Sequence, residues 1–171
     1  MQKAILIGPP GSGKSSIGKA LSRELSTSFE DTDALIVAEQ GCSIPEIFAA
    51  QGEQGFRSIE RTVVLKALAS NTGVLSLGGG SILDPDVQQA LSKSAAKIIY
   101  LQVGLSNALL RIGIKGDRPL VATDPKSQWL KIVQEREPIY KKLAKIEVRT
   151  DNKKPHEVAR ELSVLMGMHH A

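Results

Sequence analysis

One stretch of the sequence decides the fold, and it reads Gly8-Pro9-Pro10-Gly11-Ser12-Gly13-Lys14-Ser15. Two glycines separated by four residues and followed by Lys-Ser are the pattern of a phosphate-binding loop. The stretch follows a short apolar run at residues 3–7 and precedes apolar residues at helical spacing, Ile17, Leu21 and Leu25. This context predicts a strand, a loop and a helix, with the loop at the amino-terminal helix end that favours phosphate.

Each residue type in the loop has a physical role in phosphate binding. Gly11 and Gly13 can adopt the backbone angles that turn successive N–H groups toward one anion. Lys14 is predicted to reach the β and γ phosphates of a nucleotide, and the Ser15 hydroxyl to ligate Mg²⁺. Kinases, GTPases and motor ATPases all use such a loop. The sequence lacks the Asn-Lys-x-Asp motif that GTPases of the common type use to read their base.

The alternation of strands and helices returns along the rest of the chain. A further strand is predicted to end near Asp31. The other strands are predicted at residues 74–77, 96–101 and 146–149, with helices at 106–112 and 155–166. This order predicts an α/β fold, in which helices cover both faces of a parallel sheet of about five strands.

Two segments interrupt this alternation. Residues 33–70 contain several helical pieces and no convincing strand, which predicts a helical insertion over one end of the sheet. In residues 113–125, two glycines and two prolines interrupt a run that carries Arg118, which predicts a mobile loop. We find no internal repeat and no linker, so residues 1–171 are predicted to form a single domain.

Composition narrows the class of protein further. The net charge is +4, from 22 Lys and Arg against 18 Asp and Glu, and the basic residues are scattered, so a nucleic-acid partner is not expected. No stretch approaches the roughly 18 to 20 apolar residues of a membrane span. Cys42 is the one cysteine and cannot form a disulfide within the chain, so a reducing compartment, the cytoplasm, is expected. Because no exposed heptad demands a partner, we expect a monomer.

Carboxylates beside the loop must complete a magnesium site. Residues 74–77 run into Gly78-Gly79-Gly80 rather than ending in Asp, so the magnesium carboxylate must come from elsewhere. Asp31 and Asp33 follow the expected second strand, at the sheet edge that carries the phosphate loop. Strand alternation would put both carboxylates on one face, where one serves Mg²⁺ and the other accepts a hydrogen bond from an attacking hydroxyl. The alternative is that these residues cap a helix.

Three arginines are candidates for anion recognition, because Arg captures carboxylate or phosphate in a bidentate manner. Arg57 lies in the helical insertion, Arg118 in the predicted mobile loop and Arg136 on a predicted helix. Each taken alone is better explained as a solvated surface residue. Two arginines converging on a carboxylate would explain an acidic acceptor, and a third on a lid would stabilise the transferred phosphoryl group.

Taken together, these motifs resemble the shikimate kinase family. The phosphate loop and Asp31-Thr32-Asp33 are accompanied, in the family's order and approximate spacing, by Gly52-Glu53-x-x-Phe56-Arg57, Gly78-Gly79-Gly80, Arg118-Pro119-Leu120 and Arg136-x-Pro138-x-Tyr140. Val121 stands where Leu is common, a conservative departure. The resemblance implies a three-layer P-loop fold with a five-stranded parallel sheet of order 2-3-1-4-5. It also implies a shikimate-binding insertion at about residues 33–61 and a lid at about 113–125 that closes over ATP.

The resemblance also implies roles for individual residues in the acceptor site. Asp33 would bind the ring hydroxyls of shikimate and act as base on the 3-hydroxyl. Arg57 and Arg136 would clamp the carboxylate. The backbone of Gly79 and Gly80 would contact the same ligand.

On the nucleotide side, the resemblance implies that Lys14 and Arg118 stabilise the transferring phosphate. Mg²⁺ would be held by Ser15 directly and by Asp31 through water. Arg111 and Pro155 resemble the pair that sandwiches adenine in the family. The ATP site implied in this way comprises Gly11, Ser12, Gly13, Lys14, Ser15, Ser16, Arg111, Arg118 and Pro155.

The expected activity is therefore phosphorylation of the shikimate 3-hydroxyl by MgATP, a step of chorismate and aromatic amino-acid biosynthesis. One alternative is a related small-molecule kinase such as a gluconate kinase, which the pair of arginines and the triple glycine fit less well. The other is a non-catalytic nucleotide-binding protein. That alternative predicts that Lys14 or Asp33 is missing, and both are present.

Overall fold

A parallel sheet organises the molecule. The computed structural model describes residues 4–115 and 124–167 of the chain. Its strands are β1 (Ala4–Ile7), β2 (Phe29–Asp31), β3 (Val74–Ser76), β4 (Lys97–Gln102) and β5 (Ile146–Arg149), all parallel and in the order β2-β3-β1-β4-β5. The predicted sheet order is confirmed.

Helices cover both faces of this sheet. They are α1 (Lys14–Glu24), α2 (Thr32–Gln40), α3 (Ile44–Ser70), α4 (Pro85–Lys93), α5 (Leu105–Lys115), α6 (Pro125–Leu143) and α7 (Pro155–Leu165), and a short 3₁₀ turn spans Ser81–Leu83. All the residues of β1 are buried, and their side chains alternate between two cores. Ile5 and Ile7 pack with α3, α4 and α6, whereas Ala4 and Leu6 pack with α1 and α7. A central strand buried on both faces explains why its sequence is apolar throughout.

The helical insertion between β2 and β3 consists of α2 and α3, with no strand among its residues, as the sequence predicts. A break at Gly52, with φ 72° and ψ −177°, divides α3 into two helical parts. The part before the break packs Ile47 against Ile36 of α2, in a small apolar cluster that also holds Phe56. The insertion therefore has a core of its own, beside the sheet.

The prediction of a loop over residues 113–125 is wrong at both ends of the segment. Helix α5 continues to Lys115, and α6 begins at Pro125. Pro125 occupies the first turn of α6, where its missing N–H would have no helical partner, and Asp124 caps that helix by accepting from the Ser127 amide. Residues 116–123, which include Arg118, lie outside the described residues.

Candidate active site

The phosphate loop joins the end of β1 to the start of α1. Gly11 and Gly13 both have positive φ, 80° and 93°, in the left-handed region that favours glycine. A Cβ on Gly11 would lie 2.6 Å from the carbonyl oxygen of Ala108, so glycine is also required for space. The first residue of α1 is Lys14, so the loop delivers its backbone to the positive end of that helix.

Three consecutive carbonyls of the loop are held by the body of the protein. The oxygens of Pro10, Gly11 and Ser12 accept hydrogen bonds from Trp129 Nε1 at 2.9 Å, Arg111 Nη1 at 3.1 Å and Thr150 Oγ1 at 3.1 Å, respectively. The Ser12 amide donates to the Pro9 carbonyl at 3.2 Å, and holding the loop oxygens in this way lets the other loop amides turn toward an anion.

Lys14 is buried beneath this loop. Its Nζ donates to the backbone oxygens of Gly8 at 2.7 Å and Pro9 at 3.0 Å. The side chain also lines the cavity in front of the loop, so the amine stands within the same site as the loop amides. When a nucleotide binds, the Lys14 amine could exchange these backbone oxygens for phosphate oxygens and so remain hydrogen-bonded.

A cavity of about 240 Å³ brings together most of the residues predicted for the nucleotide. It is lined by Gly11, Gly13, Lys14, Ser15, Ser16, Asp31, Asp33, Arg111 and Pro155, together with Ile17, Ser76, Leu77, Ile112 and Lys153. Ser12 does not line it and is fully buried. The Arg111 guanidinium is fixed by Thr150, because Nη1 donates to Oγ1 at 3.0 Å and Nη2 to the carbonyl at 2.8 Å.

The strand-alternation argument for Asp31 and Asp33 is wrong, although both residues line the cavity. Strand β2 ends at Asp31 and α2 starts at Thr32, so Asp33 lies in the first turn of a helix. Asp31 is the cap of that helix, since its Oδ1 accepts from the amides of Asp33 at 2.8 Å and Ala34 at 3.4 Å. Its Oδ2 accepts from Ser15 Oγ at 2.5 Å.

The Ser15 and Asp31 oxygens fit the magnesium ion that the sequence predicts. Mg²⁺ prefers oxygen ligands, and it usually keeps several waters and takes one or two carboxylates plus phosphate oxygens from the protein and substrate. Two protein oxygens at the edge of the phosphate cavity match this requirement. Among the described residues, no group of three or more His, Cys, Asp or Glu side chains forms a closed metal site.

The triple glycine lies where four charged side chains meet. A Cβ on Gly78 would lie 2.7 Å from Asp33 Oδ1 and 3.0 Å from Glu60 Oε2. A Cβ on Gly80 would lie 2.6 Å from Arg57 Nη1. The absence of side chains at these positions lets the charged groups reach the main chain.

Gly79 joins this cluster to the phosphate loop. A Cβ on Gly79 would lie 3.2 Å from Arg136 Nη1 and 3.3 Å from the Gly8 carbonyl oxygen. The glycine loop is itself fixed, because the Gly78 amide donates to Thr32 Oγ1 at 3.0 Å. The charged cluster, which consists of Asp33, Arg57, Glu60 and Arg136, is therefore adjacent to the phosphate loop.

Within the cluster, the two arginines differ in how they are partnered. Arg57 Nη1 donates to Glu60 Oε1 at 2.7 Å. Glu60 is buried, and this burial raises the pKa of its carboxyl group, while the Arg57 guanidinium opposes the shift. Arg136 is only 4% exposed, and its Nε and Nη1 have no hydrogen-bond partner among the described residues. A buried cation with unsatisfied donors is costly, which suits a site for an anion.

The two cavities divide the predicted residues between them. Asp33 lines the phosphate cavity, whereas Arg57 and Gly80 line a second cavity of about 320 Å³ together with Glu60. Arg136 lines neither, because it is buried behind Gly79. The glycine loop lies between the two cavities, since Gly78 is next to Asp33 of the first cavity and Gly80 lines the second.

Sequence reasoning missed four residues of this site: Glu60, Trp129, Thr150 and Lys153. Glu60 lies three residues after Arg57 on one helix, a spacing that pairs opposite charges and was available from the sequence. The bonds of Trp129 and Thr150 to the loop join residues 119 and 138 positions apart, so no local pattern reports them.

A phosphate loop at the carboxyl edge of a 2-3-1-4-5 parallel sheet, facing a buried arginine and carboxylate cluster, defines a P-loop kinase that acts on a small anionic molecule. The chain matches the family model "Shikimate kinase" over residues 10–166. It belongs to the shikimate kinase family. Its activity is accordingly that of a kinase with ATP as co-substrate.

Individual relatives agree with this assignment. A shikimate kinase of Rhodococcus jostii is 40% identical over 161 residues, covering 94% of this chain and 95% of that protein. The structure of shikimate kinase from Acinetobacter baumannii in complex with shikimate has a TM-score of 0.91 at 28% identity, covering 96% of this chain and 93% of that one. A gluconokinase from Sinorhizobium meliloti has a TM-score of 0.62 at 18% identity, covering 97% and 91% of the two chains, which shows a shared fold alone. Across the described ranges, none of the helices combines the length and apolar character needed to cross a membrane.

Proposed function

We propose that this chain transfers the γ-phosphoryl group of ATP to the 3-hydroxyl of shikimate, giving shikimate 3-phosphate and ADP. The observation that carries the proposal is the crowding of Asp33, Arg57 and Arg136 around Gly78–Gly80, next to the phosphate loop. An acidic acceptor bound in this cluster would lie beside the γ-phosphate. Phosphoryl transfer needs little covalent help from the protein, so positioning of this kind supplies most of the catalysis.

In this proposal, Arg57 and Arg136 bind the acceptor carboxylate, and the Gly79 and Gly80 backbone contacts the same molecule. The unpartnered nitrogens of buried Arg136 support its role, because a carboxylate would satisfy them. Asp33 binds the ring hydroxyls and accepts the proton of the attacking 3-hydroxyl. Its position on the wall of the phosphate cavity supports that role.

On the nucleotide side, the amides of residues 11–16 and the Lys14 amine surround the phosphates. Arg111 and Pro155 bind the adenine ring, and the anchoring of Arg111 by Thr150 supports a fixed platform. Arg118 contributes charge to the transferred phosphoryl group from a lid at about residues 113–125, which closes to exclude water.

The magnesium site is proposed on Ser15, as a direct ligand, and on Asp31, through water. When bound, Mg²⁺ neutralises charge that develops on the β and γ phosphate oxygens. Asp31 is fixed for this role by the two amides that it caps. The same carboxylate therefore orients the start of α2, and with it Asp33.

We further propose a cytoplasmic monomer in which one domain carries a substrate-binding insertion at about residues 33–61. The single cysteine supports a reducing compartment, because Cys42 has no second cysteine to pair with. The apolar cluster of α2 and α3 supports an insertion that moves as a unit.

The proposal is tested by measuring ADP release from MgATP with shikimate or gluconate as the acceptor. We expect turnover with shikimate, and only background ADP release with gluconate. Equal turnover with gluconate, or ADP release that ignores both acids, would refute the assigned substrate.

A matched pair of variants tests whether the charged cluster binds the acceptor. Arg57→Gln is expected to raise the KM for shikimate and to leave the KM for ATP unchanged. Arg61 lies one helical turn further and pairs with Asp84 and Asp86 instead, so Arg61→Gln should leave both constants near those of the wild type. A similar shift in the two variants would contradict the role of Arg57.

A further inference from the structure

Tyr140 borders the charged cluster at Gly78–Gly80 and is not among the predicted acceptor ligands. It is fully buried on α6, and its ring stacks on Tyr100 with centroids 5.0 Å apart. Its hydroxyl donates to the carbonyl oxygen of Gly79 at 2.7 Å. This bond joins α6 to the glycine loop.

The same hydroxyl lies next to the guanidinium of Arg136, and this neighbouring cation opposes the effect of burial on the pKa of Tyr140. Arg136 and Tyr140 are four residues apart on one helix, a spacing that places their side chains side by side. The hydroxyl thus binds the carbonyl of Gly79 at the place where the guanidinium of Arg136 lies against the same residue.

Other features around Tyr140 keep this arrangement in one geometry. Burial raises the pKa of Tyr140 to about 12, so the hydroxyl keeps its proton at neutral pH. Arg136 Nη1 lies 3.2 Å from the point that a Cβ on Gly79 would occupy, so the guanidinium lies against the loop. Its Nε and Nη1 remain without a partner among the described residues.

We propose that Tyr140 is a positioning residue, whose hydroxyl holds the Gly79 backbone in register with the Arg136 guanidinium so that both contact the acceptor together. The inference rests on the proposed function, in which Arg136 binds the shikimate carboxylate. Tyr140 itself does not touch the acceptor. Its effect passes through Arg136 and the loop.

The test is a comparison of Tyr140→Phe with Tyr100→Phe in the full chain. Each variant removes one hydroxyl and keeps the stacked pair of rings. We expect Tyr140→Phe to raise the KM for shikimate about tenfold, as when a buried carbonyl loses its hydrogen bond, with kcat and the KM for ATP within about twofold. Tyr100→Phe should leave all three constants unchanged.

A structural role alone would give a different result. In that case Tyr140→Phe would lower the melting temperature and shift both KM values alike, or leave both unchanged, and either result overturns the proposal. A shikimate analogue with a carboxamide in place of the carboxylate gives a second measurement. The penalty of Tyr140→Phe should largely disappear with that analogue, and a penalty of the same size would refute action through Arg136.

A double-mutant cycle separates this inference from the proposed function. In an Arg136→Met background, removal of the Tyr140 hydroxyl should change the KM for shikimate by less than about twofold, since the two residues act as one unit. If Arg136→Met alone leaves that KM unchanged, the proposed function fails. If Arg136→Met raises it and Tyr140→Phe does not, only the role of Tyr140 fails.

Discussion

Replacing Arg136 with methionine is expected to weaken acceptor binding and, at the same time, to stabilise the protein without its substrates. The side chain is only 4% exposed, and its Nε and Nη1 have no partner among the described residues. Each unsatisfied buried donor costs about 1 to 3 kcal/mol. Methionine has a similar length, fills irregular space and carries no charge to desolvate.

The gain in stability is reduced by the interactions that Arg136 does make. The variant loses the attraction of Arg136 to Glu60 and the contact of its guanidinium with Tyr140. Glu60 nevertheless keeps Arg57 as its partner at 2.7 Å, so no buried carboxylate is left alone. We expect a net gain of about 1 kcal/mol, which corresponds to roughly 2 to 4 °C in Tm for a chain of this size.

The loss in binding is larger. Two hydrogen bonds from a charged group to the acceptor carboxylate contribute at least about 1.5 kcal/mol each, or about 3 kcal/mol together. Since about 1.4 kcal/mol is a factor of ten, the KM for shikimate should rise on the order of 10²-fold, with the KM for ATP unchanged.

Steady-state ADP release and thermal melting of the same preparation measure both effects. Arg61→Met serves as the control, because Arg61 lines the second cavity but is half exposed and pairs with Asp84 and Asp86 instead of the glycine loop. The reasoning fails if Arg136→Met lowers Tm while its KM for shikimate rises, because the guanidinium would then be a structural element. It fails equally if the KM for shikimate stays at the wild-type value.

Three further predictions concern the loop, its anchor and the insertion. Lys14→Met should lower kcat on the order of 10²- to 10³-fold in the ADP-release assay, the range for loss of one preorganised donor, and near-normal turnover would contradict its role. Trp129 is the single tryptophan of the chain and donates to the Pro10 carbonyl, so its emission should change during an ATP titration; an unchanged spectrum at saturation would count against that coupling. Gly52→Ala should destabilise the chain by about 1 to 3 kcal/mol in chemical denaturation, because φ 72° with ψ −177° is accessible to glycine alone, and no atom lies within 4 Å of the added Cβ. Gly41→Asn is the matched control and should be nearly neutral, because φ 72° with ψ 15° is a conformation that Asn also adopts; equal destabilisation by both would refute the argument.

Local patterns in the sequence were sufficient for the sheet and the phosphate loop. Glycines at fixed spacing, apolar runs and helical periodicity are properties of neighbouring residues, and they predicted β1 within one residue and the loop and helix that follow it. The family resemblance supplied the strand order, which no local pattern contains. Helix α4 was missed, although Asp84-Pro85 carries the usual signal of a helix start.

The details of the site were harder to predict, because they depend on where elements begin and on contacts between distant residues. Asp33 was placed on a strand face because the start of α2 was not recognised. The capping bonds of Asp31 fix that start, and the Asp-Thr-Asp sequence is compatible with either reading. The unsatisfied nitrogens of Arg136 depend on tertiary burial, which composition does not report.

The crowding at Gly78–Gly80 also restricts how this family can diversify. Each of the three positions has a charged group, or another backbone, within 3.3 Å of the point where a Cβ would stand, so a side chain there would displace the cluster. A single substitution in this wall of the pocket would therefore move the charged groups as well as add its own side chain. A change of acceptor is expected to be reached more readily through side chains of α2 and α3, which alter the pocket without moving the main chain at the edge of the sheet.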